Sequence, residues 1–159
     1  MFANPNRLFA FAGIACLCLS LITFLRPAPC DETKNEYFTG KVVSLAKILE
    51  KEGGRLDADA SPHWLALVTE EGKAYPIIKD DGSRMFFLDS ALLDRPMRLT
   101  GRLLPKCNLL QVVNVHSIKD GTMHEVYYFC DVCSIRRSEK KKCECCGGPM
   151  ELREVPLKK

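Results

Sequence analysis

Five cysteines sit close together near the C-terminus, in "YYFCDVCSIRRSEKKKCECCGGPMEL" (Tyr127 to Leu152). Cys130-Asp-Val-Cys133 is a CxxC pair, and Cys143 and Cys146 form a second one, followed by Gly147. A CxxC turn folds both of its sulfurs toward one point, and two such turns supply the four soft ligands of a tetrahedral zinc ion. Glycine after the second pair lets the backbone curl beneath the metal. The spacing therefore predicts a structural zinc site made by Cys130, Cys133, Cys143 and Cys146, with Cys145 a fifth, spare thiol. Iron in a four-thiolate site makes the same ligand demand, and in an oxidising compartment the same sulfurs could close as disulfides. A redox CxxC would need a thioredoxin-like βαβ context, which this segment lacks.

The elements that must hold these sulfurs are short. "HEVYYF" before the first pair and "PMELREV" after the second read as strands of a small ribbon over residues 123–159. Such a ribbon has almost no apolar core of its own, so metal binding is expected to supply its folding energy, about 10 kcal/mol or more for structural zinc. "RRSEKKK" (Arg136 to Lys142) lies between the knuckles and reads as a solvated charged loop, although its cations also suit phosphates or acidic lipid heads.

Upstream, residues 31–122 break into strand-like pieces. "YFTGKVVSL" (Tyr37–Leu45), His63–Thr69 and Lys73–Lys79 read as strands, and Leu45, Ile48 and Leu49 as one helical turn stopped by Gly53 and Gly54. Met85, Phe86, Leu88, Leu92 and Leu93 suit a short helix with Ser83 as its N-cap. Pro96–Leu104 and Leu109–Ile118 close the set around a turn at Pro105 to Asn108. Strand, strand, strand, short helix, strand, strand is the element order of an OB-like barrel, with Gly40 and Gly101 where curved strands must bend. The fold class expected is mainly β. The aromatics Tyr37, Phe38, Trp64 and Tyr75 are expected to pack this barrel rather than to form a stacking platform.

The N-terminus, residues 1–30, carries no charge from Leu8 to Leu25, between Arg7 and Arg26. That length suits a bilayer core and predicts a single retained membrane anchor, a cleaved signal peptide being the other reading. The soluble part is then expected outside the cytoplasm. Net charge is only +3, too little by itself to argue for nucleic acid, and a compartment outside the cytoplasm does not suit a nucleic-acid partner. Cys107 falls on a turn, free or paired with Cys30. The histidines are scattered at His63, His116 and His124, and no Ser–His–Asp set, phosphate loop or HExxH identifies an active site. The reading these features favour is a non-enzymatic binding or assembly module, with a protein partner of unknown identity.

Several stretches carry a resemblance. "DDGSRMFFLD", "RPMRLTGRLL", "LLQVVNVHSIKDG" and the cysteine-rich tail resemble a family of uncharacterised planctomycete membrane-anchored proteins, over most of the chain after Tyr37. "CxCCGGPMEL" also looks like the knuckles of small heavy-metal-binding modules. "HEVYY" places His124 and Tyr128 in an HxxxY pattern just beyond the barrel, similar to the membrane-anchored haem chaperone of bacterial cytochrome c maturation. That likeness implies His124 as a haem-linking residue and Tyr128 as an axial ligand, and with them a metal or haem carrier. Nucleic-acid binding through barrel and ribbon is the remaining alternative.

Overall fold

The computed structural model describes residues 34–158. The anchor expected over Leu8–Leu25, with Cys16, Cys18 and Cys30, lies outside the described residues. Among the described residues, no helix is long and apolar enough to cross a membrane.

Strand β1 (Glu36–Ser44) alternates, with Phe38, Gly40 and Val42 buried and Tyr37, Thr39 and Lys41 exposed. One face is therefore bound to the core, which fixes its register. It pairs antiparallel with β2 (Leu65–Val68) on one side and with β4 (Pro96–Leu104) on the other. β2 pairs with the short β3 (Ala74–Pro76), and β4 with β5 (Leu109–Lys119). β5 then returns to the end of β3. Ile77 and Leu110 form a parallel bridge, and Ile78 N–H donates to Leu110 O at 3.0 Å. The five strands thus close into a ring in the order β1-β2-β3-β5-β4. Helix α1 (Leu45–Lys51) follows β1, and helix α2 (Arg84–Leu88) lies between β3 and β4 in the chain, burying Met85 and Phe86.

Two details differ from expectation in ways that have a physical cause. The helix at Ser83 runs one turn, then gives way to a 3-10 turn at Ser90–Leu92 capped by Asp89, whose carboxylate accepts from Ala91 N–H at 3.2 Å. Ser83 does not cap; its fully buried hydroxyl donates to Ile78 O and accepts from Asp80 N–H, pinning the loop to the end of the barrel strand. In β5, pairing steps from Gly101↔Val112 to Thr100↔Asn114, so Val113 is the extra residue of a bulge. Val113 and Asn114 both face outward, and the bulge resets the alternation so that Leu110, Val112, Val115 and Ser117 all point inward.

A two-residue turn, Asp120 (φ 50°) and Gly121 (φ 74°), leads from β5 into β6 (Thr122–Cys130). Two successive positive φ values are the hairpin turn that matches strand twist. The boundary expected after residue 122 falls here, yet the sheet runs on through it. One edge of β6 pairs first with β5 and then with β7 (Ile135–Arg137), and the other edge pairs with β8 (Glu151–Pro156). Together the strands make one mainly antiparallel, eight-stranded sheet. Val126, Tyr128 and Cys130 point from β6 into the same apolar cluster as Met85, Phe86 and Leu99, and Cys143 and Met150 join it. The tail, expected as a small ribbon with almost no apolar core of its own, therefore shares the core of the strands before it.

Candidate metal centre

Each CxxC pair is built as the same turn. In the first, Cys130 ends β6, Ser134 takes φ 55°, and Ser134 N–H donates to Cys130 O at 2.8 Å. In the second, Gly147 takes φ 70° and its N–H donates to Cys143 O, again at 2.8 Å. Gly147 fills this role as its position after the second pair suggested, whereas Ser134 adopts a conformation uncommon for a residue with a side chain. Cys143 N–H donates to Gly148 O at 2.8 Å, and Lys142 bridges Pro149, which ties the second turn to the start of β8.

The structure brings Cys130, Cys133, Cys143 and Cys146 together, with all four sulfurs within 4.8 Å of one another. The Cys130 and Cys146 sulfurs are 3.5 Å apart. Four ligands at about 2.3 Å from a tetrahedral ion lie roughly 3.8 Å from each other, whereas disulfide sulfurs are about 2.0 Å apart. The spacing fits sulfurs sharing an ion, and the six described cysteines are free. Main-chain N–H groups of Cys146 and Cys145 aim at the Cys143 sulfur and hold its pKa down, to about 6. Cys130 receives N–H from Cys133, but burial and the thiols of Cys143 and Cys146 outweigh it, and its pKa is raised. Cys133 is pushed up by the side chains of Cys145 and Cys146 and by burial. Four thiolates this close repel one another, and a divalent cation between them removes that conflict. Such a cluster could hold a metal ion.

The loop between the knuckles docks rather than dangles. Arg137 pairs with Glu144 at 3.1 Å and Arg136 with Glu125 at 3.4 Å. Lys141 bridges Glu139 and Glu144, and Glu139 reaches Arg84 of α2 at 3.3 Å. Lys140 lies 3.3 Å from Asp89. Most cations of the basic run are thus already matched by acids of this chain, which leaves little free charge for phosphates. On the outer face Arg136 stacks over Tyr127 and Arg153 over Phe129, each with its own acidic partner.

Beneath the cluster sits a pair that the sequence did not disclose. The Tyr128 hydroxyl, on a ring only 1% exposed, donates to Asp89 at 2.8 Å. Burial opposes ionisation of Asp89, but the hydrogen bonds from Tyr128, Ala91 N–H and Lys140 outweigh it and lower its pKa. Burial, then the Asp89 carboxylate, raise the Tyr128 pKa far above its ordinary value. Tyr128 is thus closed in the core with its oxygen committed, which removes it as a haem ligand. His124 sits on the same strand with Nδ1 3.0 Å from Thr122 O.

The sign of the pH dependence follows. The raised Tyr128 pKa gives stability that is whole below the unfolded value near 10 and falls as pH rises above it. The lowered Asp89 pKa gives stability present above its unfolded value near 4 and lost as acid protonates the folded carboxylate. Tyr128→Phe should cost about 1–3 kcal/mol at neutral pH and flatten the alkaline fall between pH 9 and 11. Urea midpoints of both proteins across that range check this; an equally steep fall in the variant would show that the phenol is not the titrating group.

Of the other candidates, Phe38 packs inside and Tyr75 meets it edge-on at 5.2 Å, but Tyr37 and Trp64 are exposed at 75% and 49%. They correct the expectation that all four aromatics pack the core. The cysteine cluster draws no ligand from His63, His116 or His124. Cys107 is exposed on the turn between β4 and β5. No family model, curated protein or solved structure matches the chain.

Proposed function

We propose that this protein is a membrane-anchored, extracytoplasmic binding or assembly module without catalytic activity, in which an OB-like barrel carries a structural zinc ion on Cys130, Cys133, Cys143 and Cys146. The observation that carries the reading is the four-sulfur cluster, built by two matching turns and spaced for an ion. Zinc suits it best: four thiolates in a closed, half-buried site with no open position are the ligand set of structural zinc. The five-strand ring with its parallel closure, and a short helix between the third and fourth strands, support the OB-like barrel. The uncharged run Leu8–Leu25 supports the anchor. A groove of about 1060 Å³ between α1 and the β2–β3 hairpin, lined by Ile48, Val68 and Pro96 among others, gives the barrel a concave surface for a protein partner.

Membranes washed with high salt and then solubilised, followed by purification without reductant and metal analysis, test the whole reading. The chain should stay with the membrane fraction and carry a single zinc with no visible absorption band. A soluble chain beginning near Asp31 would refute the anchor. Absence of metal, with cysteines that react only after reduction, would refute the zinc site.

A further inference from the structure

Three cations on the outer face of the barrel have no carboxylate to answer them. Tyr37, Thr39 and Lys41 point outward from β1, and Arg98, Thr100 and Arg102 from β4. Register sets these side chains in rows: Lys41 beside Pro96, Thr39 beside Arg98, Tyr37 beside Thr100, and Arg102 one row further. Rows on one face are two residues apart, about 6.7 Å. Among the described residues, Lys41, Arg98 and Arg102 form no ion pair. Arg98 Nε donates to Thr39 Oγ1 at 3.4 Å and Arg102 Nε to Gln111 Oε1 at 2.7 Å, both neutral acceptors. The acids nearest this strip are engaged elsewhere. Asp80 accepts from Gln111 Nε2 and from Ser83 N–H, and Glu125, beyond His116 in the Arg98 row, pairs with Arg136.

The strip leads into the groove beside α1, since Thr39 and Lys41 belong to both. Val43, Ile48, Val68 and Ile118 give the groove its apolar lining. Around it, α1 and the β2–β3 turn mix acids with lysines, whereas the sheet side carries cations alone.

We propose that the partner seated in this groove is an extended, acidic segment of another protein, with one apolar side chain in the groove and carboxylates on Arg98 and Arg102. The inference rests on the groove reading above and names the chemistry of its occupant. Charge decides the sign of the partner, because unpaired cations on a surface select anions and reject cations. Geometry decides the spacing. Arg98 and Arg102 are four residues apart on β4, about 13 Å, and an extended segment laid along β4 repeats its same-side residues at the same interval. Starting from the groove, such a segment presents an apolar residue, an acid to Arg98, an aromatic to Tyr37 and an acid to Arg102, each two positions apart. Thr39, Thr100 and Asn114 offer side-chain hydrogen bonds to its backbone. Single-stranded nucleic acid fits less well. Its bases stack on successive aromatics, and Tyr37 is the only Phe, Tyr or Trp that β1, β4 and β5 turn outward. A phosphate or sugar chain also has no side chain to fill the apolar groove.

The test uses the full chain in detergent and two fluorescein-labelled synthetic peptides, LSESFSE and LSQSFSQ, read by fluorescence anisotropy. The acidic peptide should bind roughly fivefold more tightly at low salt, and the difference should shrink as salt screens the exposed pairs. The double variant Arg98→Glu with Arg102→Glu should reverse the preference and favour LSKSFSK, while Ile48→Asp should weaken both original peptides alike. The wild-type comparison stands by itself should the double variant not fold. Equal binding of the two peptides that Ile48→Asp still weakens would overturn the acidic segment and leave the groove reading in place. Binding of neither peptide, or binding that Ile48→Asp does not change, would remove the groove reading as well. Tighter binding of oligothymidylate or of anionic vesicles than of LSESFSE would overturn the choice of a protein segment.

Discussion

Replacing Cys130 or Cys143 by Ser should melt the whole described unit at lower temperature, in one transition, rather than loosen the tail alone. Both side chains are buried in the cluster that also holds Met85, Phe86 and Leu99. Each substitution removes a sulfur from the proposed metal site and places a hydroxyl in the core without a partner. Structural zinc contributes about 10 kcal/mol to small domains that depend on it, so loss of even a third of that would exceed the effect of most single substitutions. Calorimetry should show the melting temperature falling by about 10 °C or more. Cys146→Ser should release the metal as completely but disturb packing less, because Cys146 is exposed. A tail that unfolds separately while the main transition stays in place would show that the shared strand β6 does not couple the two parts.

The second large effect is expected at Gly101. A Cβ there would come within 2.3 Å of Gln111 O on the paired strand, and backbone cannot step aside as a flexible side chain can. Gly101 also sits where the β4–β5 register shifts, so the close approach and the bulge are one feature. Gly101→Val should destabilise by about 3 kcal/mol or more, read as a shift in urea midpoint at unchanged slope. An unchanged midpoint would mean that the bulge relaxes to admit the side chain. Gly40, with Val68 O at 2.1 Å from its would-be Cβ, faces the same restriction.

Why some of this was legible in the sequence, and some not, comes down to which contacts leave a local trace. β1 and β4 alternate because one face is buried, and the pattern reports that directly. The cysteine cluster was legible because ligand spacing within a turn is local, and Gly147 marked the second turn. β3 was expected to reach Lys79 but ends at Pro76; beyond it Ile77 N–H still donates to Leu65 O of β2 while Ile77 forms the parallel bridge with β5. β6 gave no hint that it belongs to both regions. Tyr127 and Phe129 on its outer face are as apolar as Val126 and Tyr128 on the inner one, so alternation could not say which side packs. The Asp89–Tyr128 pair spans 39 residues and has no periodic signature. Gly82, whose Cβ would lie 2.0 Å from Val112 O, leaves no local trace of that restriction because its neighbour is remote in sequence.

The double engagement of β6 also sets how the chain closes its loops. Its pairing with β5 needs only the Asp120–Gly121 turn, so that hairpin confines few residues and forms at small entropic cost. Pairing with β8 is different, since Phe129 must find Glu151 across the whole span that holds both knuckles. Disorder of that span opposes the last strand. The hydrogen bonds from Ser134 to Cys130 and from Gly147 to Cys143 fold each end of it into a tight turn, leaving the stretch between the knuckles as the main freedom to remove. A single ion held by both turns would remove it. In terms of chain statistics, an ion held there would be a cross-link that brings β8 within reach of β6, so the strand that completes the sheet would be recruited through the cysteines as well as through its own sequence.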